Sequence, residues 1–497
     1  MSSSHVVEEA RRIAKEFEYP ANEVNRAVEE FRRQMDEGLS KEGATLSQIP
    51  TYVTAVPDGS EKGIYLAVDL GGTNFRVCSV QLHGDSTFSL TQSKTAIPRE
   101  LMSSKSSSKD LFSFLAKQVQ LFLEEHHTEH FEAHVRRRQV EGSKEEFKEE
   151  EIFDLGFTFS FPVNQVGINK GTLIRWTKGF DIAEVVGQDV CALLQDALND
   201  LHLPVRVAAL VNDTVGTLMA RSYTSPGATR TLIGAIFGTG TNGAYVEKLP
   251  RVTKMDTLSG GTEYDKSTGE MVINSEWGSF DNHLSVLPST VYDQDLDAES
   301  VNPGIQMFEK RVSGMFLGEI LRRAILSMVK DPSVNLFQSA DDGTPTIIPS
   351  DSAVYEQWGI DTSFLSIVEA DTSEDMNAIK AIMKKDLHIE GVSVEDCEAM
   401  KVLVHAIGKR AARLSAVALA AVMISTGKLE SEDVVDIGVD GSLVEFYPGF
   451  ENSIREALRE IPQVGQDGEP KVRIGIAKDG SGVGAALIAL VARQSEK

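Results

Sequence analysis

Short apolar runs alternate with longer amphipathic segments along most of the chain. Five of these runs, which predict buried strands, span residues 152–159, 205–211, 232–237, 435–439 and 472–477. Segments with apolar residues at helical spacing lie between the runs, and the longest cover residues 6–38 and 110–138. Because strands that alternate with helices build layered sheets, the pattern predicts an α/β fold.

Two glycine turns interrupt this pattern in the same way. The apolar strand 64–68 runs into the turn Asp69–Asn74, and residues 75–80 then alternate like a second strand. The segment Ile236–Gly243 repeats the same order of strand, glycine turn with Thr and Asn, and alternating strand. Each unit reads as a β-hairpin, so the repeat predicts two similar halves that face each other across a cleft. Ligands of such folds bind beyond the carboxyl ends of the strands.

The charge balance is strongly acidic, with 49 Lys and Arg against 74 Asp and Glu and a net charge of −25. Such an excess repels nucleic acid and anionic lipid, so neither is an expected partner. A bound polyanion must therefore be held by local backbone donors and by metal. The three cysteines form neither a disulfide pattern nor a zinc pattern, which predicts reduced thiols and a cytoplasmic protein.

Two further features could indicate other protein classes. The most apolar helical stretch, Ala416–Ile424, is too short to span a bilayer, and the N-terminal residues lack a signal-peptide pattern. His126, His130 and His134 lie four residues apart on a predicted helix, a spacing that could bind metal. A polar helix face explains that spacing better. We therefore expect neither membrane insertion nor a histidine-based metal site.

The residues of the two turns have the chemistry of a phosphate site. Glycine lets the backbone approach phosphate oxygens, and consecutive N–H groups then form an anion-binding nest. Thr73 and Thr239 add a hydroxyl donor to each turn. Asp69 has the wrong charge to contact phosphate directly, so its expected role is to hold Mg²⁺ through water. Arg76 lies two residues past the first turn and could reach a transferred phosphoryl group.

Two glycine patterns resemble nucleotide motifs of other enzymes. Residues Gly238–Gly243 have the spacing of a dinucleotide fingerprint, but a strand follows them where that motif requires a helix. Residues Gly480–Gly484 do open a helix, yet the chain after them is too short for the ribose-binding part of the motif. The sequence therefore disfavours a nicotinamide-dependent enzyme. The sequence also contains neither the P-loop of nucleotide hydrolases nor the protein-kinase signatures.

Polar residues follow the apolar strand 205–211 at its carboxyl end. Asp213, between Asn212 and Thr214, is well placed as a general base that takes the proton of a sugar hydroxyl. An Asp in this position also commonly caps the helix that follows. Both interpretations stay open on this segment alone.

Three short segments share a composition that suits the recognition of a polyol. Residues 160–162, 177–179 and 274–278 each place short polar side chains or a carboxylate beside glycine, proline or an aromatic residue. Lys178 is also a candidate for stabilising charge near a reacting oxygen. Individually each segment could be an ordinary turn.

Together these segments resemble the hexokinase family over nearly the whole chain. The segments Leu155–Pro162 and Arg175–Asp181 are similar to the family's sugar-binding signature, and they stand in the family's order relative to the two glycine turns. The resemblance implies two domains of ribonuclease-H/actin-like α/β fold that close over glucose. The implied domains are residues 64–211 completed by 477–497, and residues 213–473 completed by 1–62.

The resemblance also implies roles for individual residues, with Asp213 as the catalytic base and Lys178 as its partner in catalysis. The implied sugar contacts are Ser160, Phe161, Thr177, Lys178, Asn212, Asp213, Asn242, Glu276 and Glu309. The implied ATP contacts are Asp69, Gly71, Gly72, Thr73, Asn74, Arg76, Thr239, Gly240, Gly441 and Ser442. Mg²⁺ would be held by Asp69 through water.

Two positions depart from the vertebrate members of the family. Thr241 and Val483 stand where those members carry Cys and Lys, so the chain resembles the fungal branch more closely. Within that branch, the segment Gly171–Arg175 is more similar to glucokinases than to broad-specificity hexokinases. The length of 497 residues fits one catalytic unit, as a monomer or a homodimer.

The resemblance therefore implies ATP-dependent phosphorylation of glucose to glucose 6-phosphate. A broad-specificity hexokinase that also uses fructose and mannose is the first alternative. A catalytically weak sugar sensor would keep the same sugar contacts. An actin-like or chaperone ATPase would share both glycine turns but would lack the segments around Ser160 and Thr177.

Overall fold

The computed structural model describes residues 5–72, 74–103, 105–136, 146–257, 261, 263–338, 341, 344, 346–477 and 479–495. In chain order, strands β1 to β13 are Ile49–Pro50, Lys62–Leu70, Asn74–His83, Phe88–Ala96, Phe153–Phe159, Val163–Gly167, Lys170–Leu173, Val205–Val211, Thr231–Phe237, Thr241–Lys248, Glu270–Asn274, Val435–Asp440 and Val472–Ile476. Each of the five apolar runs for which a buried strand was expected forms a strand, and these strands are β5, β8, β9, β12 and β13.

The described helices of eight or more residues are labelled α1 to α12. They are His5–Glu16, Ala21–Ser40, Ser108–His126, Val190–Asp200, Asp213–Thr224, Val291–Ala298, Gly314–Lys330, Thr362–Ala370, Asn377–Asp386, Val394–Thr426, Phe450–Glu460 and Ala485–Ser495. Shorter α-helical turns are Thr128–His130, Glu309–Val312, Lys428–Ser431, Ser442–Phe446 and Gly465–Gly468. Helices and strands alternate, which confirms the predicted α/β class.

The described strands form two main sheets. One is six-stranded with the order β1-β11-β10-β9-β12-β13, and the other is five-stranded with the order β4-β3-β2-β5-β8. A separate two-stranded sheet pairs β6 with β7. Both predicted hairpins are present, since β2 pairs antiparallel with β3 and β9 pairs antiparallel with β10. In each main sheet the first strand of the hairpin also pairs in parallel with a later strand, β5 or β12.

Side-chain alternation places the two faces of the five-stranded sheet in different cores. Leu66 and Val68 of β2 belong to a core shared with α3 and α4, whereas Ala67 between them belongs to the larger core. This separation follows from the two-residue period of a strand. The five-stranded sheet with α3, α4 and α12 is called the small lobe below, and the six-stranded sheet with its helices the large lobe. The predicted domain boundaries stay a prediction.

Two predicted helices are corrected. The segment 6–38 is not one helix, because α1 ends at Glu16 and α2 begins at Ala21 after Pro20. Proline disfavours helical geometry in the residue before it, which explains the break. The helix predicted over 110–138 is α3, which ends at His126. The short α-helical turn Thr128–His130 and the π-helical segment Phe131–Arg136 follow it, and residues 137 and 138 lie outside the described ranges.

The apolar stretch Ala416–Ile424 is the end of a much longer helix than the sequence suggested. It belongs to α10, which has 33 residues and buries Arg410 and Arg413 among its apolar side chains. Within the described ranges, every helix is too short or too polar to pass through a bilayer.

The three histidines that could have bound metal have other partners. His126 Nε2 lies 3.2 Å from the hydroxyl oxygen of Ser93. His134 Nδ1 lies 2.9 Å from a carboxylate oxygen of Glu151, and His130 Nε2 lies 2.9 Å from the main-chain oxygen of the same residue. Among the described residues, no cluster of three or more His, Cys, Asp or Glu could hold a metal ion.

Candidate active site

The first glycine turn, between β2 and β3, lines a cavity of about 740 Å³ that opens between the two sheets. Its walls include Asp69, Gly71, Gly72 and Asn74 from the turn. A Cβ atom on Gly71 would lie 3.1 Å from Ser160 Oγ and 3.4 Å from Asp69 Oδ1, so glycine keeps this part of the turn open. Thr73, the remaining predicted contact of this turn, lies outside the described residues.

The second turn, between β9 and β10, meets the loop after β12. Gly441 has a φ of 112°, and a Cβ atom there would lie 2.6 Å from the main-chain carbon of Phe237. Only glycine fits such a close backbone contact. Thr239 and Ser442 line a second cavity of about 480 Å³, together with Met315, Ile367, Phe446 and neighbouring residues. Of the predicted ATP contacts, the first cavity is lined by Asp69, Gly71, Gly72, Asn74 and Arg76, and the second by Thr239 and Ser442. Gly240 lines a third cavity, described below, and Gly441 lines none of the three.

Arg76 lines the first cavity, and other side chains of the protein hold its guanidinium group. Arg76 Nη2 donates to Asp69 Oδ2 at 3.1 Å, and Nη1 donates to Asp479 Oδ1 at 2.7 Å. A third contact joins Nη2 to the hydroxyl of Ser481. The sequence placed Arg76 correctly at the turn but gave no sign of Asp479 or Ser481, which come from the far end of the chain.

The lining of the first cavity also includes residues that sequence reasoning missed. Gln92 and Lys94 of β4 line the cavity, and so does Thr217 of α5. Lys94 is the direct cross-strand partner of Arg76, which places both cations on one face of the sheet. Only the register of β3 against β4 could have revealed this pairing.

A third cavity, of about 510 Å³, contains most of the predicted sugar contacts. Its lining includes Ser160, Phe161, Lys178, Asn212, Asp213, Gly240, Asn242, Glu276 and Glu309. All the predicted sugar contacts lie within the described ranges. Thr177, which precedes Lys178 on the same loop, is the one among them that does not line this cavity. Ser160 and Asp213 line both this cavity and the first one, so they stand where the two meet.

An amide–carboxylate network forms one wall of the third cavity. The Asn242 Nδ2 group donates to Asn274 Oδ1 at 2.9 Å and to Glu276 Oε1 at 3.2 Å. Asn274 Nδ2 also donates to Glu276 Oε1 at 2.8 Å. Glu276 adopts a left-handed φ of 54°, a conformation unusual for this residue type that often marks functional sites. Burial raises the pKa of the Glu276 carboxyl.

Glu309 closes the cavity beside the second turn. Its Oε1 atom accepts from the Thr241 main-chain N–H at 3.2 Å and would lie 2.8 Å from a Cβ atom on Gly240. Burial raises the pKa of Glu309 as well. Together with the Asn242 network, Glu309 gives the cavity the acceptors and donors that neighbouring hydroxyl groups require.

Asp213 is the first residue of α5, while Asn212 is the helix cap. Asn212 Oδ1 accepts from the Thr214 main-chain N–H at 3.0 Å, and Asp213 Oδ1 accepts from the same group at 2.9 Å. Because Asn212 already caps the helix, capping does not require Asp213. Burial raises the pKa of the Asp213 carboxyl, and the carboxylates of Asp69 and Asp440 add to this shift. A half-buried carboxylate with a raised pKa is typical of a general base.

Lys178 reaches the site from an exposed loop. Lys178 and Gly179 both have a positive φ, 57° and 85°, so the loop turns sharply at this point. The Lys178 ammonium lies 5.6 Å from the centroid of the Phe161 ring, and it favours the charged form of Asp213. This geometry fits a cation that approaches the reacting oxygen from the small lobe.

Comparison with known proteins identifies relatives along the whole chain. Sequence models of the family described as hexokinase match residues 9–223 and 232–491. The glucokinase of Aspergillus niger is 68% identical over 494 residues, which cover 99% of this chain and 99% of that protein. Glucokinase-1 of Saccharomyces cerevisiae is 41% identical over 508 residues, which cover 98% of this chain and 97% of that protein.

The structure is also similar to solved structures. A hexokinase from Schistosoma mansoni complexed with glucose superposes with a TM-score of 0.75 at 33% sequence identity, over 97% of this chain and 98% of that chain. This likeness confirms the predicted two-domain architecture of actin-like α/β type.

Proposed function

The chain belongs to the hexokinase family, and on this basis we propose that it transfers the terminal phosphoryl group of ATP to the 6-hydroxyl of glucose. The observation that supports this reaction best is the position of Asp213. It lies on the shared wall of two cavities, one lined by a glycine turn suited to phosphate and the other by Asn and Glu side chains suited to a sugar.

The sugar binds first in the third cavity, where its hydroxyl groups meet Asn212, Asn242, Glu276 and Glu309. Asp213 accepts the proton of the 6-hydroxyl as that oxygen forms its bond to phosphorus. The bond between phosphorus and the bridging oxygen of ADP breaks in the same step. Closure of the lobes excludes water, which would otherwise accept the phosphoryl group.

The first cavity fits Mg²⁺ in the chemistry of its donors. Asp69 presents carboxylate oxygens beside the glycine turn, and Mg²⁺ prefers oxygen ligands and retains several waters. When bound, the ion neutralises charge on the phosphate groups. The main-chain N–H groups of Gly71 and Gly72 and the side chains of Asn74 and Arg76 would hold the phosphates. Thr239, Gly240, Gly441 and Ser442 would hold the rest of the nucleotide.

We favour a glucokinase over a broad-specificity hexokinase, because the glucokinase of Aspergillus niger is 68% identical to this chain. The test is a coupled ADP-release assay with Mg-ATP and glucose, fructose or mannose. We expect turnover with glucose to exceed turnover with fructose at least tenfold in kcat/KM. Comparable fructose turnover would favour the hexokinase alternative. Glucose binding without turnover would instead support the sugar sensor.

The pH dependence of the reaction tests the base. Since the pKa of Asp213 is raised and the base must be charged, kcat/KM should fall on acidification at a higher pH than expected for an exposed aspartate. Lys178 favours the charged form, so Lys178→Met should move this limb to still higher pH. Rate measurements across the acidic range, on protein shown by circular dichroism to be folded, check both points. A limb that stays in place or moves to lower pH would contradict the pairing.

A cytoplasmic location fits the state of the thiols. Cys78, Cys191 and Cys397 are all buried and unpaired, as expected where thiols stay reduced. The protein is a monomer or a homodimer in this proposal, and light scattering would distinguish the two states.

A further inference from the structure

The guanidinium group of Arg76 links two parts of the chain that are far apart in sequence. Arg76 lies on β3 of the small lobe, and Asp479 lies in the loop between β13 and α12. Each of the two side chains is about one-fifth exposed, and the ion pair of 2.7 Å is shorter than the one between Arg76 and Asp69, at 3.1 Å. Asp479 is therefore the tighter of the two carboxylate partners.

Close backbone packing fixes the position of Asp479. It has a left-handed φ of 55° and directly precedes the helical turn Gly480–Gly484. This turn packs backbone against backbone on α5, because a Cβ atom on Gly216 would come within 2.3 Å of the Gly480 carbonyl oxygen. A Cβ atom on Gly484 would come within 2.2 Å of the Gly216 Cα atom. Such contacts leave no room for the turn to shift against the helix.

The helix on which this turn rests is the one that begins at Asp213. The position of Asp479 is therefore fixed relative to the proposed base. Asp479 is not one of the described residues that line the third cavity. The Ser481 carbonyl accepts from Thr158 Oγ1 at 2.8 Å, which also ties the turn to the end of β5. Arg76 is thus held by Asp479 from the side of α5 and by Asp69 from the neighbouring strand β2.

We propose that Asp479 is a positioning residue. It holds the Arg76 guanidinium at a fixed position relative to Asp213, so that the cation faces the phosphoryl group during transfer. The inference rests on the proposed phosphoryl transfer. Without the Asp479 carboxylate, Asp69 is the remaining anionic partner of Arg76 among the contacts described above. The guanidinium would then be drawn toward Asp69 and would lose its charged partner on the turn that packs against α5. Asp479 contacts neither reactant in this scheme and acts through Arg76.

The first test replaces Asp479 by asparagine, which keeps the shape of the side chain and removes its charge. We expect kcat with glucose and Mg-ATP to fall by about tenfold to a hundredfold, as for a misplaced catalytic group. The KM for glucose should stay within about twofold of wild type, because the sugar cavity is untouched. Asp479→Glu, which restores the charge, should recover part of the loss. Asp433→Asn, an exposed residue before β12, is the matched control and should behave as wild type.

A double-mutant cycle with Arg76→Ala separates positioning from a merely structural role. If Asp479 acts through Arg76, then Asp479→Asn should change kcat by less than about twofold in the Arg76→Ala background. Effects that multiply in the double variant would overturn the proposal, and so would a single Asp479→Asn variant with wild-type kcat. A wild-type protein without sugar-dependent turnover would instead refute the proposed function itself. Thermal unfolding of each variant identifies any that fail to fold, and the cycle then uses Asp479→Glu.

Discussion

We expect Asp213→Ala to lower kcat for glucose phosphorylation by about two to four powers of ten while changing glucose affinity much less. The carboxyl lies where the sugar cavity and the phosphate cavity meet, and no other described carboxylate lines both. Its loss therefore removes the acceptor for the hydroxyl proton. The sugar contacts of Asn242, Glu276 and Glu309 remain.

Single-turnover and steady-state rates measure the first quantity, and calorimetric titration with glucose measures the second. Asp213→Asn should lose as much activity as Asp213→Ala, although the amide oxygen can still accept from the Thr214 N–H group. Asp196→Ala, on an exposed face of α4, provides the control for an aspartate removed from a helix. A kcat within a few-fold of wild type for either Asp213 variant would refute the assignment of the base.

The largest effect on stability should come from Asp436→Ala. The Asp436 side chain is fully buried, and it accepts from Arg221 Nε at 2.9 Å, from Arg221 Nη2 at 2.7 Å and from Thr231 Oγ1 at 2.7 Å. Arg473 supplies a further contact. Removal of one member of a buried ion pair leaves an uncompensated charge and costs about 3–5 kcal/mol. Arg221 belongs to α5, so the same change loosens the helix that carries the proposed base.

Urea unfolding followed by tryptophan fluorescence measures this loss. The exposed pair of Lys384 with Glu390 provides the control, because Glu390→Ala should cost no more than about 1 kcal/mol. Equal losses for the two variants would contradict the argument from burial. Replacement of Arg221 and Asp436 together by apolar residues should be less harmful than Asp436→Ala alone.

The sequence predicted the central strands and both hairpins because local signals specify them. A strand that ends in a glycine turn is visible within about ten residues, and β2 and β9 both follow this rule. The break between α1 and α2 also had a local signal in Pro20, but the amphipathic pattern on both sides of it favoured a single helix. The length of α10 was missed because only its most apolar part stood out.

The parts of the site that the sequence did not reveal depend on contacts between distant segments. Lys94 faces the phosphate cavity only because β3 and β4 pair in one particular register. Asp479 and Ser481 reach Arg76 because the last part of the chain returns to the small lobe. No pattern within a short window encodes such proximity. The family resemblance assigned roles to individual residues, but it did not show which contacts hold their side chains in place.

The helix α12 makes the small lobe depend on a segment far along the chain from its sheet. It packs against β2, β5 and β8, so a sheet built from residues 62–211 is covered by residues 485–495. One face of this sheet stays uncovered until that distant segment has folded back onto it. Two fragments divided between β8 and α5 could restore the enzyme only by assembling with each other.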